Sequence, residues 1–215
     1  MSKSAVLVVV ALALAMLVVR CTTPAASLRF RIIVEVGTPS GTKTGSSVME
    51  LVLKRPFLIP MPGAGGGDRG GGFQLFGEAP FVELGDRVLF TKYHAKSYQH
   101  QLDSAVLDGL KLFARRRAAP DRNDEAIFRE LNQIKWKGEV APSYYPAFAA
   151  FADLQDPKSQ TEILPDAVQA SLGDGYTINR ITVHVVGADA RPTTSLAERF
   201  PVLANERGLL SLAPR

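Results

Sequence analysis

Three histidines and one cysteine are the side chains here best suited to proton transfer or nucleophilic attack. A histidine does such work when a carboxylate orients one ring nitrogen and the other nitrogen takes the proton. His94 and His184 are the candidates for that arrangement, each with a nearby Asp or Glu. Other features weigh against them. His94 and His100 flank a strand-to-helix junction without HExxH-type spacing. His184 shares a strand face with Thr182 and Val186, where a solvent-facing or hydrogen-bonded histidine needs no catalytic role. The lone cysteine, Cys21, ends an apolar run. That position removes it as a nucleophile of a folded domain and makes it the lipidation candidate. No catalytic residue and no metal ligand is assigned.

The segment Gly37–Thr44, GTPSGTKT, imitates a phosphate loop. Its glycines are too close, and Thr42 intrudes before Lys43, where a phosphate loop has Lys-Ser/Thr directly after glycine. The residues that follow are strand-like, so no helix N-terminus would hold the anion. A hairpin loop is the better reading, and nucleotide is not an expected ligand. Gly63–Gly72 lacks a strand-to-helix setting and reads as a surface loop. Asp153, Asp156, Asp166 and Asp174 lie in turn-like sequences without EF-hand spacing, where aspartate makes turns and caps. Arg115–Arg117 suit either anionic lipid headgroups or the negative end of a helix dipole, and the second is preferred. No cofactor is expected.

The elements that must position these residues follow from periodicity. Leu28–Val36 alternates cleanly, with Leu28, Phe30, Ile32, Val34 and Val36 on one face, which is a half-buried strand. Gly37–Gly45 reads as a loop, and Ser46–Lys54 as the returning strand of a hairpin. Residues 56–72 hold three prolines and a glycine cluster and form a flexible excursion. Phe73–Leu84 and Arg87–Tyr93 make a second strand pair turning at Gly85-Asp86. Leu102, Ala105, Val106, Leu110 and Phe113 share a helical stripe, closed by Arg115–Arg117 and stopped at Pro120. A second helix starts with Asp121 as N-cap and turns Ile127, Leu131 and Ile134 inward. Ala147–Asp153 is a short strand, and Pro165–Leu172 a short helix ended by Gly173. Tyr176–Val186 is a strong strand with Ile178, Ile181, Val183 and Val185. Ser195-Leu196-Ala197-Glu198 is a capping box opening a terminal helix.

Ala5–Val19 is apolar throughout, with Lys3 before it and Arg20-Cys21 after it. As a helix it spans roughly 22 Å, short of the ~30 Å hydrocarbon core, which fits a secretory h-region. Three fates are open to it: lipidation at Cys21, cleavage after Ala25 or Ala26, or retention as a short anchor. Arg20 departs from the small residue a lipobox carries before its cysteine. The chain has 25 basic and 21 acidic residues, and setting aside Lys3 and Arg20 leaves it nearly balanced. A balanced domain lacks the electrostatic footprint of a nucleic-acid binder. A lone cysteine rules out an intramolecular disulfide.

Three blocks carry a family resemblance: Arg29–Leu51 with Gly77–Phe90, the stretch FADLQDPKSQTEI from Phe151, and SLGDGYTINRITVHVV with SLAERFPVL. Together they resemble a family of exported, lipoprotein-like alphaproteobacterial proteins of unassigned activity. The resemblance implies a Gram-negative envelope address and supplies no catalytic residue.

The expectation is an N-terminal signal or membrane anchor over 1–21, a short linker over 22–27, and a single α+β domain over 28–215. Antiparallel β-hairpins form its sheet around a central helical pair. The expected role is non-enzymatic: a tethered or exported protein facing the periplasm that binds another envelope component or is structural. The alternative is a periplasmic hydrolase using His94 or His184 with a carboxylate. The partners are the membrane, through the N-terminal segment or a lipid, and another envelope protein.

Overall fold

Leu28, Phe30, Ile32, Val34 and Val36 are all buried, while Arg29, Arg31 and Glu35 face outward. That alternation makes β1 (Ala26–Thr38), seen in a computed structural model that describes residues 25–54, 72–85, 87–203 and 209–211. The apolar run with Cys21, nearly all of the Pro/Gly-rich excursion, and Asp86 lie outside the described residues. Two compact units divide the chain, Leu28–Leu51 with Leu75–Arg215, and Met1–Ser27 with Val52–Gln74. In the smaller unit the Ala25 amide donates to the Leu53 carbonyl at 2.8 Å.

The fold is α+β, with antiparallel pairing throughout the strand ladders. β2 (Gly41–Lys54) follows β1 after only Pro39 and Ser40. The expected loop over Gly37–Gly45 is therefore mostly strand. The turn is closed locally: Thr38 Oγ1 donates to the Gly41 carbonyl at 2.6 Å and accepts from the Ser40 amide at 3.3 Å. Gly41 holds φ +113°, a conformation that favours glycine. Composition misleads here because the β-branched Thr42 and Thr44 suit a pleated strand as well as a loop.

The single strand expected over Phe73–Leu84 is two. β3 (Gly72–Glu78) and β4 (Phe81–Glu83) part at Ala79-Pro80. Proline has no N–H for a ladder, and its carbonyl is taken by the Thr91 amide at 3.0 Å and hydroxyl at 2.9 Å. β4 pairs with β5 (Val88–Thr91), as the second hairpin requires.

The central helix also divides. α1 (Leu102–Gly109) ends before Lys111, which takes left-handed angles of φ 55° and ψ 34°, and α2 (Leu112–Ala118) begins on a new phase. The expected stripe thus fails at its last member: Leu112 is buried, and Phe113 is 47% exposed. α3 (Asp124–Gln133) is capped by Asn123, whose Oδ1 accepts the Ala126 amide at 2.9 Å, and not by Asp121. Ile127 and Leu131 point inward as expected, but Ile134, past the last turn, is exposed.

Three further strands follow: β6 (Lys137–Glu139), β7 (Phe148–Phe151) and β8 (Gln160–Ile163). α4 (Val168–Leu172) ends at Gly173, whose φ is +112°. β9 (Thr177–Val185) pairs with β1, and its register slips so that Glu35 faces Arg180 but Val36 faces Ile178. Bulging Asn179 brings Ile178 to the side of Ile181, Val183 and Val185, despite the break in parity. α5 (Ser195–Arg199) and β10 (Leu210–Ser211) complete the chain order. One sheet runs β10-β3-β2-β1-β9-β6 and the other β4-β5-β7-β8. The C-terminal half therefore serves both sheets: β6, β9 and β10 join the first, and β7 and β8 the second.

α1 packs on β6 and β9 through Gly109, where an added Cβ would lie 2.6 Å from Val183 Cγ2. The second core gathers Phe90, Ala149, Leu196, Leu203 and Leu209 under the four-stranded sheet. There the Phe90 ring meets Phe200 at 5.2 Å and Phe151 at 5.4 Å, both edge-on. Such pairs add about 0.5–1.5 kcal/mol each beyond area burial. α5 has no cap from its own turn. Its Leu196 amide instead donates to Oε2 of the buried Glu78 at 2.8 Å. Burial, with the charge of Glu78, pushes the Tyr93 phenol far up, and its hydroxyl donates to the Gly77 carbonyl at 2.7 Å.

Candidate functional site

Among the described residues neither His94 nor His184 is hydrogen-bonded to a carboxylate. His94 is exposed just beyond β5, and its ring lies 6.4 Å from that of Tyr93. His184 stands on β9 opposite Arg31 of β1 and Lys137 of β6. Partial burial and then the charges of Lys137, Arg31 and Arg180 hold it below the usual histidine range. Those neighbours are cations, the opposite of what a general base needs to have its imidazolium stabilised. Cys21 lies outside the described residues.

The third histidine is the one that folding builds into a cavity. His100 ends the 3-10 turn Tyr98–His100. Its Nδ1 is 2.8 Å from the Tyr145 carbonyl. A carbonyl only accepts, so Nδ1 donates, and in the neutral ring Nε2 carries the lone pair. The Ala147 amide donates to the His100 carbonyl at 2.8 Å, and Gln99 Nε2 to the Ser143 carbonyl at 2.8 Å. These three bonds clamp the histidine turn to Ser143 of the turn Pro142–Tyr144 and to Tyr145 and Ala147 just after it.

Proline sets both walls. Pro142 and Pro165 each open a 3-10 turn, after extended Ala141 and Leu164, which is the conformation a residue before proline prefers. Asp108 of α1 fixes the first wall, because its Oδ2 accepts the Ala141 amide at 2.7 Å as well as Lys111 Nζ at 3.1 Å. The second wall continues into α4 and returns through Gly173 and Gly175 to Tyr176. Between them opens a cavity of about 420 Å³, lined by His100, Tyr145, Asp166, Gln169, Tyr176 and Thr177 beside the prolines. That volume is in the range of small-molecule sites. Tyr145 is buried, and burial, with the charge of Glu139, raises its phenol. Asp166 is exposed, and among the described residues no cation pairs with it.

A second cavity, of about 520 Å³, lies between β2, β4 and α5, with Lys43, Thr44, Ser46, Glu83, Ser195 and Arg199. Arg199 pairs with Glu83 and packs over Phe81 and Phe200 at 5.4 and 5.9 Å. The phosphate-loop imitation contributes only Lys43 and Thr44 to it, from a strand.

Two of the three arginines weighed for lipid contact are engaged inside the protein. Arg115 Nη1 donates to Glu130 Oε1 at 2.6 Å, its guanidinium lies 4.4 Å over the Trp136 ring, and Arg116 pairs with Asp124. Asp153 and Asp156 make turns, accepting the Gln155 and Lys158 amides at 2.8 and 2.9 Å. No cluster of three or more metal-ligating side chains occurs among the described residues. Nor, among them, is any helix long and apolar enough to cross a membrane.

Sequence reasoning weighed His100 only beside His94 and overlooked Tyr145, Gln169 and Tyr176. The legible signal was the pair of Pro-led turns. What joins them is non-local. Fold and cavity together define an α+β protein of two antiparallel sheets with a pocket lined by Tyr145, Tyr176 and Asp166. No family model, curated protein or solved structure matches the chain.

Proposed function

We propose that this is a cell-envelope protein, tethered or exported by residues 1–21, that binds a ligand or another envelope component without catalysis. The observation that carries the binding reading is the cavity between Pro142 and Pro165. Its groups suit recognition: aromatic rings, an amide, a hydroxyl and one carboxylate, with the histidine's Nδ1 spent on a backbone carbonyl. The address rests on the apolar run and on the resemblance to exported, lipoprotein-like proteins.

Intact mass and fractionation of the full-length protein beside a Cys21→Ala variant, in a Gram-negative host, test the address. A diacylglycerol-sized mass gain, lost together with membrane residence in the variant, is the expected result. An unmodified mass with both forms in the membrane keeps the tether and removes the lipid. Recovery of both forms from the cytoplasm overturns the reading.

A further inference from the structure

The charge inventory of the Pro142–Pro165 cavity is one-sided. Among the described residues, Asp166 is the one carboxylate that lines it, and no lysine or arginine does. Two tyrosines, Tyr145 and Tyr176, line it, and the quadrupole of an aromatic ring attracts cations. Among the described residues the Asp166 carboxylate has no salt-bridge partner, so it is open to a ligand's cation. An anionic ligand would meet that carboxylate with no cation to offset it. A neutral ligand would leave it unused. The second cavity has the opposite character, with Lys43 and Arg199 against Glu83.

We infer that the cavity takes an organic ammonium group, with Tyr145 and Tyr176 against its alkyl carbons and Asp166 facing its charge. This rests on the binding reading of the same cavity. Gln169 Nε2 donates to Asp174 at 3.1 Å and the Thr177 hydroxyl to Asn179 Oδ1 at 2.9 Å, so these two side chains offer their oxygens as acceptors to a hydroxyl on the ligand's tail. The site is open and Asp166 exposed, so affinity for the bare group is weak, in the millimolar range.

The test is ligand-observed NMR on the full-length protein in non-ionic detergent. It compares choline with 3,3-dimethylbutan-1-ol, which has the same shape without the charge. Choline is expected to bind and the alcohol to bind at least fivefold more weakly. Asp166→Asn should lower choline affinity about fivefold, the size of a surface ion pair, and leave the alcohol unchanged. Tyr176→Leu should abolish choline binding and Tyr176→Phe retain it, which separates loss of the ring from loss of the fold. Phosphocholine binding more weakly than choline marks a free ammonium ligand; equal or tighter binding marks a headgroup. Equal binding of choline and the alcohol, or an unchanged Asp166→Asn variant, overturns the ammonium inference. If choline fails but a neutral saccharide or a carboxylate gives a Tyr176-dependent signal, the inference falls and the binding reading stands. If none of these probes gives such a signal, both fall.

Discussion

Replacing Gly138 by alanine should push β6 away from α1 and cost about 3 kcal/mol of stability. A Cβ at Gly138 would lie 2.0 Å from the Gly109 carbonyl oxygen and 2.7 Å from Trp136 Nε1. The first is backbone and cannot rotate aside. That oxygen already accepts the Trp136 indole N–H at 3.0 Å. Relief requires the short edge strand to move outward. The move strains the Val185 amide to Trp136 carbonyl bond (2.8 Å), the Val140 amide to Ile181 carbonyl bond (2.9 Å) and the indole bond. At about 1 kcal/mol net per hydrogen bond, with about 0.5–1 for the Arg115 stack, full displacement costs about 4 kcal/mol and partial displacement about 2. For a chain of this size the expected loss lowers Tm by roughly 6–12 °C. Gly109→Ala is the comparison, because its Cβ first meets a valine methyl and alanine recovers about 1 kcal/mol of helix propensity. Urea unfolding followed by the fluorescence of Trp136, the chain's one tryptophan, reads both variants. A Gly138→Ala protein within about 1 kcal/mol of wild type, with unshifted emission, refutes the packing argument. Because β6 leads into Ala141-Pro142, the same variant should also loosen the cavity wall.

Two further outcomes are expected. Glu78→Ala removes the carboxylate that caps the Leu196 amide of α5, so it should cost about 2 kcal/mol, the size of a charge-assisted bond, and open residues 195–203 to protease before global unfolding. Unchanged cleavage there would contradict it. His184 is held below its usual value of 6.5, so above that pH both folded and unfolded chains keep it neutral and nothing is lost. As pH falls below 6.5, the unfolded chain takes the proton first, and stability declines until the folded-state pKa is passed. His184→Gln should flatten that decline in denaturant midpoints measured down to about pH 5; parallel pH profiles would refute it.

Local pattern by itself determined the strands whose apolar residues alternate. β1 follows directly from LRFRIIVEV, and β9 from its Ile and Val residues, because strand parity is set by neighbours two apart. Gly173 ending a helix was legible from residue type, since glycine takes the positive φ of a helix end, and the β4–β5 hairpin from its glycine turn. Only tertiary structure decided the rest. Lys111 breaks a stripe that periodicity would continue, because Asp108 turns from its own helix to hold both Lys111 and the Ala141 amide. Asn179 bulges because β9 must match β1 on both sides of Glu35. Glu78 caps a helix more than a hundred residues away, which no local capping box announces. The cavity belongs to the same class. His100, Tyr145, Asp166 and Tyr176 carry no common spacing; hydrogen bonds to the Ser143 and Tyr145 carbonyls hold the His100 turn to the Pro142 wall, and the Pro165 turn forms the other wall. Periodicity is a property of adjacent residues, whereas a site assembled by chain closure is a property of contacts that do not exist until the sheets have paired.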